Sequence, residues 1–243
     1  MKTIVLSTSV QVGEAVGREI CALVEQKPDA VLCLAAGHTS LETFDHLVSR
    51  HASGLDFSRV RIVELDEWLK MDGSNPESCT GFMQRHLFSR LNLDNDNIFL
   101  LNACAQDLQA ECSRMEAQIA ALGGIDYMFL GLGMNGHLGL NEPACDPDAG
   151  VHVAMLSETT RRVGQKYFAR GAELTGGITL GLRNILEARR AVLAVTGEHK
   201  GAIVAQLLAR PDALPAGVLW SHLNGALLLD EAAADLARAQ GLV

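Results

Sequence analysis

The sequence predicts an α/β fold: a three-layer α/β/α sandwich with a Rossmann-like, mostly parallel sheet. Short, nearly continuous apolar runs alternate with longer segments of helical periodicity along the whole chain. Because the apolar runs show little alternation with polar residues, they are typical of parallel strands that are buried on both faces. No repeat or Gly/Ser/Pro-rich linker divides the sequence, so we expect residues 1–243 to form a single domain.

Four of the six predicted helices lie between successive predicted strands and are expected to be crossover connections, which implies a parallel sheet sandwiched between helices. The predicted strands are Ala30–Leu34, Val60–Leu65, Ile98–Leu101, Ile125–Leu130, Val151–Leu156, Ala191–Thr196 and Ala226–Leu229. The predicted helices are Val10–Glu25, Thr39–Ser49, Pro76–Leu91, Asp107–Leu122, Glu198–Leu208 and Glu231–Ala239.

The composition is that of a globular protein with a sizeable core, since 48% of the residues are apolar and 20% are charged. A formal net charge of −9 argues against a nucleic-acid-binding surface. The apolar run at the N-terminus is too short for a secretory leader, and no stretch approaches the roughly 18 apolar residues of a membrane span. The six cysteines form no Cys-x-x-Cys pair, which favours reduced thiols over a zinc site. We therefore expect a cytoplasmic protein with no membrane or nucleic-acid partner.

The most informative segment lies between Gly131 and Pro143 and reads GLGMNGHLGLNEP. It follows directly on the apolar run Ile125–Leu130, and open α/β sheets bind their ligands at the carboxyl ends of such strands. The segment contains His137 and Glu142, two residue types that take part in acid–base chemistry. We therefore expect both residues in an active site.

The same segment matches the Gly-x-Gly-x-x-Gly pattern of dinucleotide-binding proteins, and Glu158 follows about twenty residues later. A true dinucleotide fingerprint opens a crossover helix, however. Pro143 and Pro147, together with the intervening turn residues, break any helix after Gly136. We therefore do not expect a nicotinamide cofactor.

Two adjacent acids, Asp66 and Glu67, close the predicted strand Val60–Leu65. Because neighbouring side chains of a strand point to opposite faces, only one of these carboxylates can face a shared crevice. The alternative is an acidic turn that faces solvent.

An anion-binding site is indicated by two further strand ends. The loop from Gly37 to Ser40 joins a predicted strand to a helix N-terminus, where backbone N–H groups and hydroxyls suit a phosphate. Lys200 follows the strand Ala191–Thr196 and can neutralise an anion at the same edge of the sheet. An ordinary helix cap at Thr39 and a surface lysine are the alternatives.

Taken in order, these segments closely resemble the amino-sugar-phosphate isomerase/deaminase family, which contains glucosamine-6-phosphate deaminases and a galactosamine-6-phosphate branch. The resemblance extends from about Lys27 to Leu229. Its motifs are LDEW at 65–68, PES at 76–78, the segment 131–143, GITLGL at 177–182 and VTGExK at 195–200. The more distant 6-phosphogluconolactonases share the Gly-x-Gly-x-x-Gly-His turn. The ending Asn141-Glu142-Pro143 and the pair Asp66-Glu67 favour the deaminase branch.

The resemblance implies an enzyme that opens the ring of a 2-amino-2-deoxyhexose 6-phosphate, moves a proton from C2 to C1 and releases ammonia after water adds at C2. By similarity, Asp66 is the base that carries this proton, and His137 is the ring-opening catalyst. Glu142 is expected to support His137. No metal and no organic cofactor is required.

The resemblance also implies which residues hold the phosphate of the substrate. The backbone and hydroxyl groups of one loop supply hydrogen bonds, and two lysines supply positive charge, although the alignment around the second lysine is loose. These residues are Gly37, His38, Thr39, Ser40, Lys200 and Lys166.

The chain departs from the glucosamine-phosphate enzymes at Asn135, where they usually carry Asp. We expect Asn135 to accept a hydrogen bond from the imidazole of His137, while stabilising an imidazolium less than a carboxylate would. Asn is the residue expected in the galactosamine branch, so the predicted reaction converts galactosamine 6-phosphate to tagatose 6-phosphate and ammonia.

Three alternatives to this reaction remain. They are the conversion of glucosamine 6-phosphate to fructose 6-phosphate, the hydrolysis of 6-phosphogluconolactone, and a sugar-phosphate sensor without catalysis. The sequence does not reveal the preference at C4 of the sugar. It is compatible with a homo-oligomer but contains no diagnostic interface stripe.

Overall fold

The structure is a computed structural model that describes all residues from Met1 to Val243. Its strands are β1 Lys2–Leu6, β2 Val31–Leu34, β3 Arg61–Val63, β4 Asp66–Trp68, β5 Ile98–Phe99, β6 Tyr127–Gly131, β7 His152–Met155, β8 Gly176–Thr179, β9 Ala191–Val195 and β10 Gly225–Asp230. Its α-helices are α1 Ser9–Gln26, α2 Leu41–Ala52, α3 Cys79–His86, α4 Leu108–Ala121, α5 Glu158–Gly164, α6 Leu182–Glu187, α7 Gly201–Ala209 and α8 Glu231–Ala239. None of them has the length and apolar character needed to cross a membrane.

A seven-stranded parallel sheet in the order β1-β10-β9-β6-β2-β3-β5 forms the middle layer. Side chains on its two faces enter two separate apolar cores, because successive residues of a strand point in opposite directions. Helices α1, α2 and α3 pack on the face that contains Leu32 and Phe129. Helices α4, α6, α7 and α8 pack on the face that contains Cys33 and Leu130. The predicted three-layer α/β/α sandwich is confirmed.

The direction in which the sheet is built reverses between β2 and β6. From β2 the chain continues to β3 and β5 on one side, whereas β6 is followed on its other side by β9 and β10. At such a reversal the loops that leave the two central strands diverge and open a crevice at the carboxyl edge. The loops after β2, β6 and β9 all leave from this edge.

A second, antiparallel sheet in the order β4-β8-β7 lies outside the main sheet. The prediction that Val151–Leu156 is a strand of the parallel sheet is therefore wrong, because this segment forms β7 and pairs only with β8. Strands β1, β4 and β8 and helices α5 and α6 were not predicted. Strands β4 and β8 and helices α5 and α6 have only three to seven residues, and β8 begins with Gly176 and Gly177, so periodicity and propensity do not mark them. Strand β1 has the β-branched residues of an ordinary strand and was overlooked.

Asp126 joins the start of β6 to the start of β2. Its buried carboxylate accepts a hydrogen bond from the Val31 N–H at 2.8 Å. It also forms ion pairs with Lys27 Nζ at 2.7 Å and Arg189 Nη1 at 3.1 Å. This carboxylate therefore helps to fix the register of the two central strands.

We expect Asp126→Ala to lower the free energy of unfolding by about 1–3 kcal/mol, because it leaves the buried Val31 N–H without an acceptor. The matched control Asp45→Ala removes an exposed ion pair with Arg90 and should cost at most about 1 kcal/mol. Denaturant unfolding measures both changes. Equal losses for the two variants would contradict the assigned role of Asp126.

Candidate active site

A cavity of about 400 Å³ opens at the carboxyl edge of the main sheet, beside the reversal between β2 and β6. Most of the residues predicted to form a site contribute to its wall, although they are far apart in the sequence. These residues are Gly37, His38, Thr39, Ser40, Asp66, His137, Lys166 and Lys200. The other two candidates, Asn135 and Glu142, do not line the cavity.

The adjacent acids of β4 point in opposite directions, as the alternation of a strand requires. Asp66 faces the cavity. Glu67 is fully buried, and its carboxylate accepts hydrogen bonds from the backbone N–H groups of Trp68, Cys79 and Thr80 at 2.8–3.0 Å. Glu67 thus caps the N-terminus of α3 and anchors the strand that carries Asp66.

The surroundings of Asp66 alter its acidity. Burial raises the pKa of Asp66 to about 7; the nearby Glu67 carboxylate adds to this rise, and the Cys79 thiol opposes it. A carboxyl group with this pKa is populated in both protonation states at neutral pH and can accept and return a proton.

Glycines in the turn after β6 allow close approach to the candidate catalytic side chains. A Cβ atom on Gly133 would lie 2.3 Å from the ring of His137. A Cβ atom on Gly139, which has a φ of +56°, would lie 3.2 Å from Asp66 Oδ2. The turn is closed by a hydrogen bond from the Gly133 N–H to the His137 carbonyl at 2.9 Å. No helix opens after Gly136, so the glycines build a turn for His137 and not a dinucleotide site.

Asn135 makes no hydrogen bond to the imidazole ring, so the expectation that it accepts a hydrogen bond from the imidazole of His137 is wrong. Its Oδ1 atom accepts from the backbone N–H of His137 at 3.3 Å. Its Nδ2 atom donates to Glu142 Oε2 at 2.7 Å and to Ser157 Oγ at 3.0 Å. A side chain two residues before the histidine folds back onto the turn, as Asn commonly does. Asn135 therefore orients Glu142.

The partner of the imidazole is Thr160, whose Oγ1 atom lies 3.1 Å from His137 Nδ1. Ser157, which caps α5, donates from Oγ to Thr160 Oγ1 at 3.2 Å, and its N–H donates to Glu142 Oε1 at 3.2 Å. Sequence reasoning missed Ser157 and Thr160 because α5 is too short to show a period. The sequence does contain a serine followed by an acidic residue, a pattern typical of a helix N-terminus, which could have indicated α5.

The hydrogen bonds around Thr160 influence the tautomer of His137. Ser157 Oγ accepts from Asn135 Nδ2 and from the Thr160 N–H, so the Ser157 proton is donated to Thr160 Oγ1. The Thr160 hydroxyl in turn supplies a hydrogen bond that lowers the pKa of Glu142. When the Thr160 proton is directed to Glu142, Thr160 Oγ1 accepts the Nδ1 proton of His137, which leaves Nε2 as an acceptor.

The ionisation of this network is set mainly by burial. Burial lowers the pKa of His137 to about 4; the charge of Glu142 opposes this shift, and the charge of Lys200 adds to it. Burial acts to raise the pKa of Glu142, but hydrogen bonds from Thr160, Asn135 and Ser157 and the imidazole outweigh it, so the pKa is lowered. At neutral pH the site thus holds a neutral imidazole and an ionised Glu142.

Cationic and N–H groups also line the cavity. Lys200 Nζ donates to the Leu132 carbonyl at 2.5 Å, and burial, with a contribution from Lys166, lowers its pKa to about 8. Lys166 and His38 are exposed at the rim. The Ser40 hydroxyl is already committed, because it donates to the Ala35 carbonyl at 2.6 Å. The Ser40 hydroxyl is therefore not free to donate a hydrogen bond to an anion.

The loop from Gly37 differs locally from the prediction. Residues His38–Ser40 form a 3₁₀ turn, and α2 begins only at Leu41 without a side-chain cap. The predicted helix thus starts two residues too early. No group of three or more His, Cys, Asp and Glu side chains is arranged to hold a metal ion.

The family model described as glucosamine-6-phosphate isomerases/6-phosphogluconolactonase matches residues 7–228. The chain belongs to this family of enzymes. It is 37% identical to a glucosamine-6-phosphate deaminase from Pseudarthrobacter chlorophenolicus, over 97% of this chain and 92% of that protein. It is 38% identical to the putative deaminase AgaI of Escherichia coli, over 89% of this chain and 87% of that protein.

Solved structures show the same architecture. A monomeric glucosamine-6-phosphate deaminase superposes with a TM-score of 0.93 at 32% identity, covering 97% of this chain and all of that one. The 6-phosphogluconolactonase of Trypanosoma brucei superposes with a TM-score of 0.76 at 23% identity, covering 96% and 97%. The second likeness concerns the fold alone.

Thr160→Val removes the hydrogen bond that fixes the imidazole. Without it, the free-energy difference between the two tautomers falls by roughly 0.5–1.5 kcal/mol, so the minor tautomer of His137 should rise several-fold. The ¹⁵N chemical shifts of the ring measure the tautomer ratio. Thr160→Ser keeps the hydroxyl and should restore the original ratio. An unchanged ratio in Thr160→Val would show that Thr160 does not orient the ring.

Proposed function

We propose that this protein is an amino-sugar-6-phosphate isomerase/deaminase that converts galactosamine 6-phosphate and water to tagatose 6-phosphate and ammonia. The observation that carries the proposal is one cavity with a carboxyl group of pKa near 7, Asp66, and a neutral imidazole, His137. Lys200 and Lys166 at the same cavity favour a phosphorylated sugar. Relatives named glucosamine-6-phosphate deaminase support the reaction class.

Ring opening is the first step. His137 Nε2 takes the proton of the anomeric hydroxyl and returns a proton to the ring oxygen as the C1–O5 bond breaks. A neutral imidazole can perform both transfers in the tautomer whose Nδ1 proton is donated to Thr160, because Nε2 is then free to accept. Glu142 stabilises the imidazolium that forms between the two transfers, and Asn135 and Ser157 hold Glu142 in place.

Isomerisation and deamination follow in the open chain. Asp66 removes the proton from C2 of the aldehyde as the C1 oxygen gains a proton, which gives an enolamine. Asp66 then delivers its proton to C1 as the nitrogen gives up a proton, which leaves an imine at C2. Water adds to this carbon, and ammonia departs as the C2 carbonyl of the ketose forms. The burial that raises the pKa of Asp66 makes its carboxylate a stronger base than an exposed one.

Phosphate binding is assigned to the loop from Gly37 to Ser40 and to Lys200, with Lys166 at the rim. Gly37, His38 and Thr39 contribute backbone N–H groups and one free hydroxyl at the start of α2. These contacts persist throughout the reaction and therefore provide uniform binding.

Glucosamine 6-phosphate is the second candidate substrate, favoured by the names of most relatives. The residue that supports galactosamine is Asn135, by its resemblance to that branch. Hydrolysis of a phosphogluconolactone does not require removal of a carbon-bound proton, so it would not need Asp66 as a base. A sensor without catalysis would likewise have no use for a base of raised pKa.

We expect Asp66→Asn to abolish exchange of the C2 proton with deuterated water and to lower kcat by about 10²–10⁴-fold. Binding of the phosphosugar, measured by calorimetry, should change little because Asn keeps the size of the side chain. ¹H NMR of the substrate in deuterated water follows the exchange. Retained exchange would remove Asp66 from the role of base.

The pH dependence of kcat/KM should be bell-shaped, because this parameter reports the ionisations of the free enzyme. Activity rises with pH as Asp66 loses its proton near pH 7 and falls as Lys200 loses its charge near pH 8. Lys200→Arg keeps the positive charge at higher pH and should remove the alkaline decline. An acidic limb below pH 5 would contradict the assigned base.

A further inference from the structure

Tyr167 presents a free hydroxyl group to the cavity. It ends the 3₁₀ turn Gln165–Tyr167, which follows α5. Its ring stacks on His38 with a centroid distance of 5.7 Å and an interplanar angle of 26°, and Lys166 Nζ lies 4.9 Å from its centroid. The hydroxyl makes no hydrogen bond within the protein. The ring is therefore held in place while its polar atom remains available to a ligand.

The position of this hydroxyl is defined by its neighbours. A Cβ atom built on Gly37 would lie 3.5 Å from Tyr167 Oη, so the phenol lies over the loop assigned to phosphate. Tyr167 also borders a smaller adjoining cavity of about 130 Å³, which is lined by Asp66 and His137 as well. Burial, together with the charges of Cys79 and Asp66, raises the pKa of Tyr167 to about 12. The phenol thus stays protonated and can donate a hydrogen bond.

We infer that the Tyr167 hydroxyl binds the C4 hydroxyl of the galactosamine epimer and selects this sugar over its glucosamine epimer. The inference rests on the proposed function, in which the phosphate on C6 lies at the loop of Gly37 and C2 lies at Asp66. A side chain that lies between Gly37 and Asp66 therefore contacts the middle carbons of the bound sugar. Because Tyr167 Oη lies over Gly37, it is nearer the phosphate end, which favours C4 over C3.

The stereochemistry explains why this contact discriminates. The two amino sugars differ only at C4, where the hydroxyl points to opposite faces of the ring. A phenol fixed by stacking on His38 cannot follow the hydroxyl from one face to the other. A site that hydrogen-bonds a substrate hydroxyl penalises the analogue that leaves this group unpaired. The hydroxyls of Ser40 and Thr160, which also line the cavity, already hydrogen-bond to protein partners.

Tyr167→Phe tests the inference, because it removes only the hydroxyl and keeps the ring that stacks on His38. The measurement is kcat/KM for galactosamine 6-phosphate and glucosamine 6-phosphate in the wild type and in the variant. We expect about a tenfold fall with the galactosamine substrate and less than about a twofold change with the glucosamine substrate. Tyr127→Phe removes the hydroxyl of the other tyrosine, which contacts Glu19 away from the cavity, and should leave the ratio unchanged.

The outcomes separate the inference from the function on which it rests. A selective loss with galactosamine 6-phosphate supports the inference. An equal loss with both sugars, no loss, or a selective loss with glucosamine 6-phosphate overturns it while the wild type still releases ammonia. A wild type that turns over neither sugar overturns the proposed function itself.

Discussion

The site depends on one constraint, the parallel direction of the seven strands in the main sheet. Because every strand runs the same way, all their carboxyl ends lie at one edge, and the loops that follow them converge there. The reversal of strand order between β2 and β6 opens the crevice between these loops. Residues that are far apart in the sequence, such as Gly37 and Lys200, thus share one cavity.

The second sheet and α5 supply what the main sheet cannot. Strand β4 holds Asp66 in the cavity by hydrogen bonding to β8, and the buried Glu67 fixes that strand to the start of α3. Helix α5 contributes Thr160, which holds the imidazole of His137. Burial then moves the pKa values of Asp66 and His137 in opposite directions. The outcome is a strong carboxylate base beside a neutral imidazole at the same pH.

The layers of the fold and the strand ends that form the site can be predicted from the sequence. Buried strands appear as apolar runs, and the alternation of side chains along a strand indicates which residues face the same side. The opposite orientations of Asp66 and Glu67 follow from such alternation. The contacts of Asn135, Thr160 and Tyr167 could not be predicted in this way. They depend on where α5, a helix of seven residues, packs against the turn after β6, and so short a helix has no readable period. The antiparallel pairing of β7 could not be predicted either, because an apolar run indicates a strand but does not indicate which strand pairs with it.

The most direct test of this account is the release of ammonia by purified, metal-free protein from galactosamine 6-phosphate and glucosamine 6-phosphate, assayed in parallel at matched concentrations. The account predicts release from both sugars, with the larger kcat/KM for the galactosamine substrate. Preference for glucosamine 6-phosphate would contradict the assignment of the substrate. Absence of ammonia with both would contradict the account of Asp66 and His137 as the groups that move protons on an amino sugar.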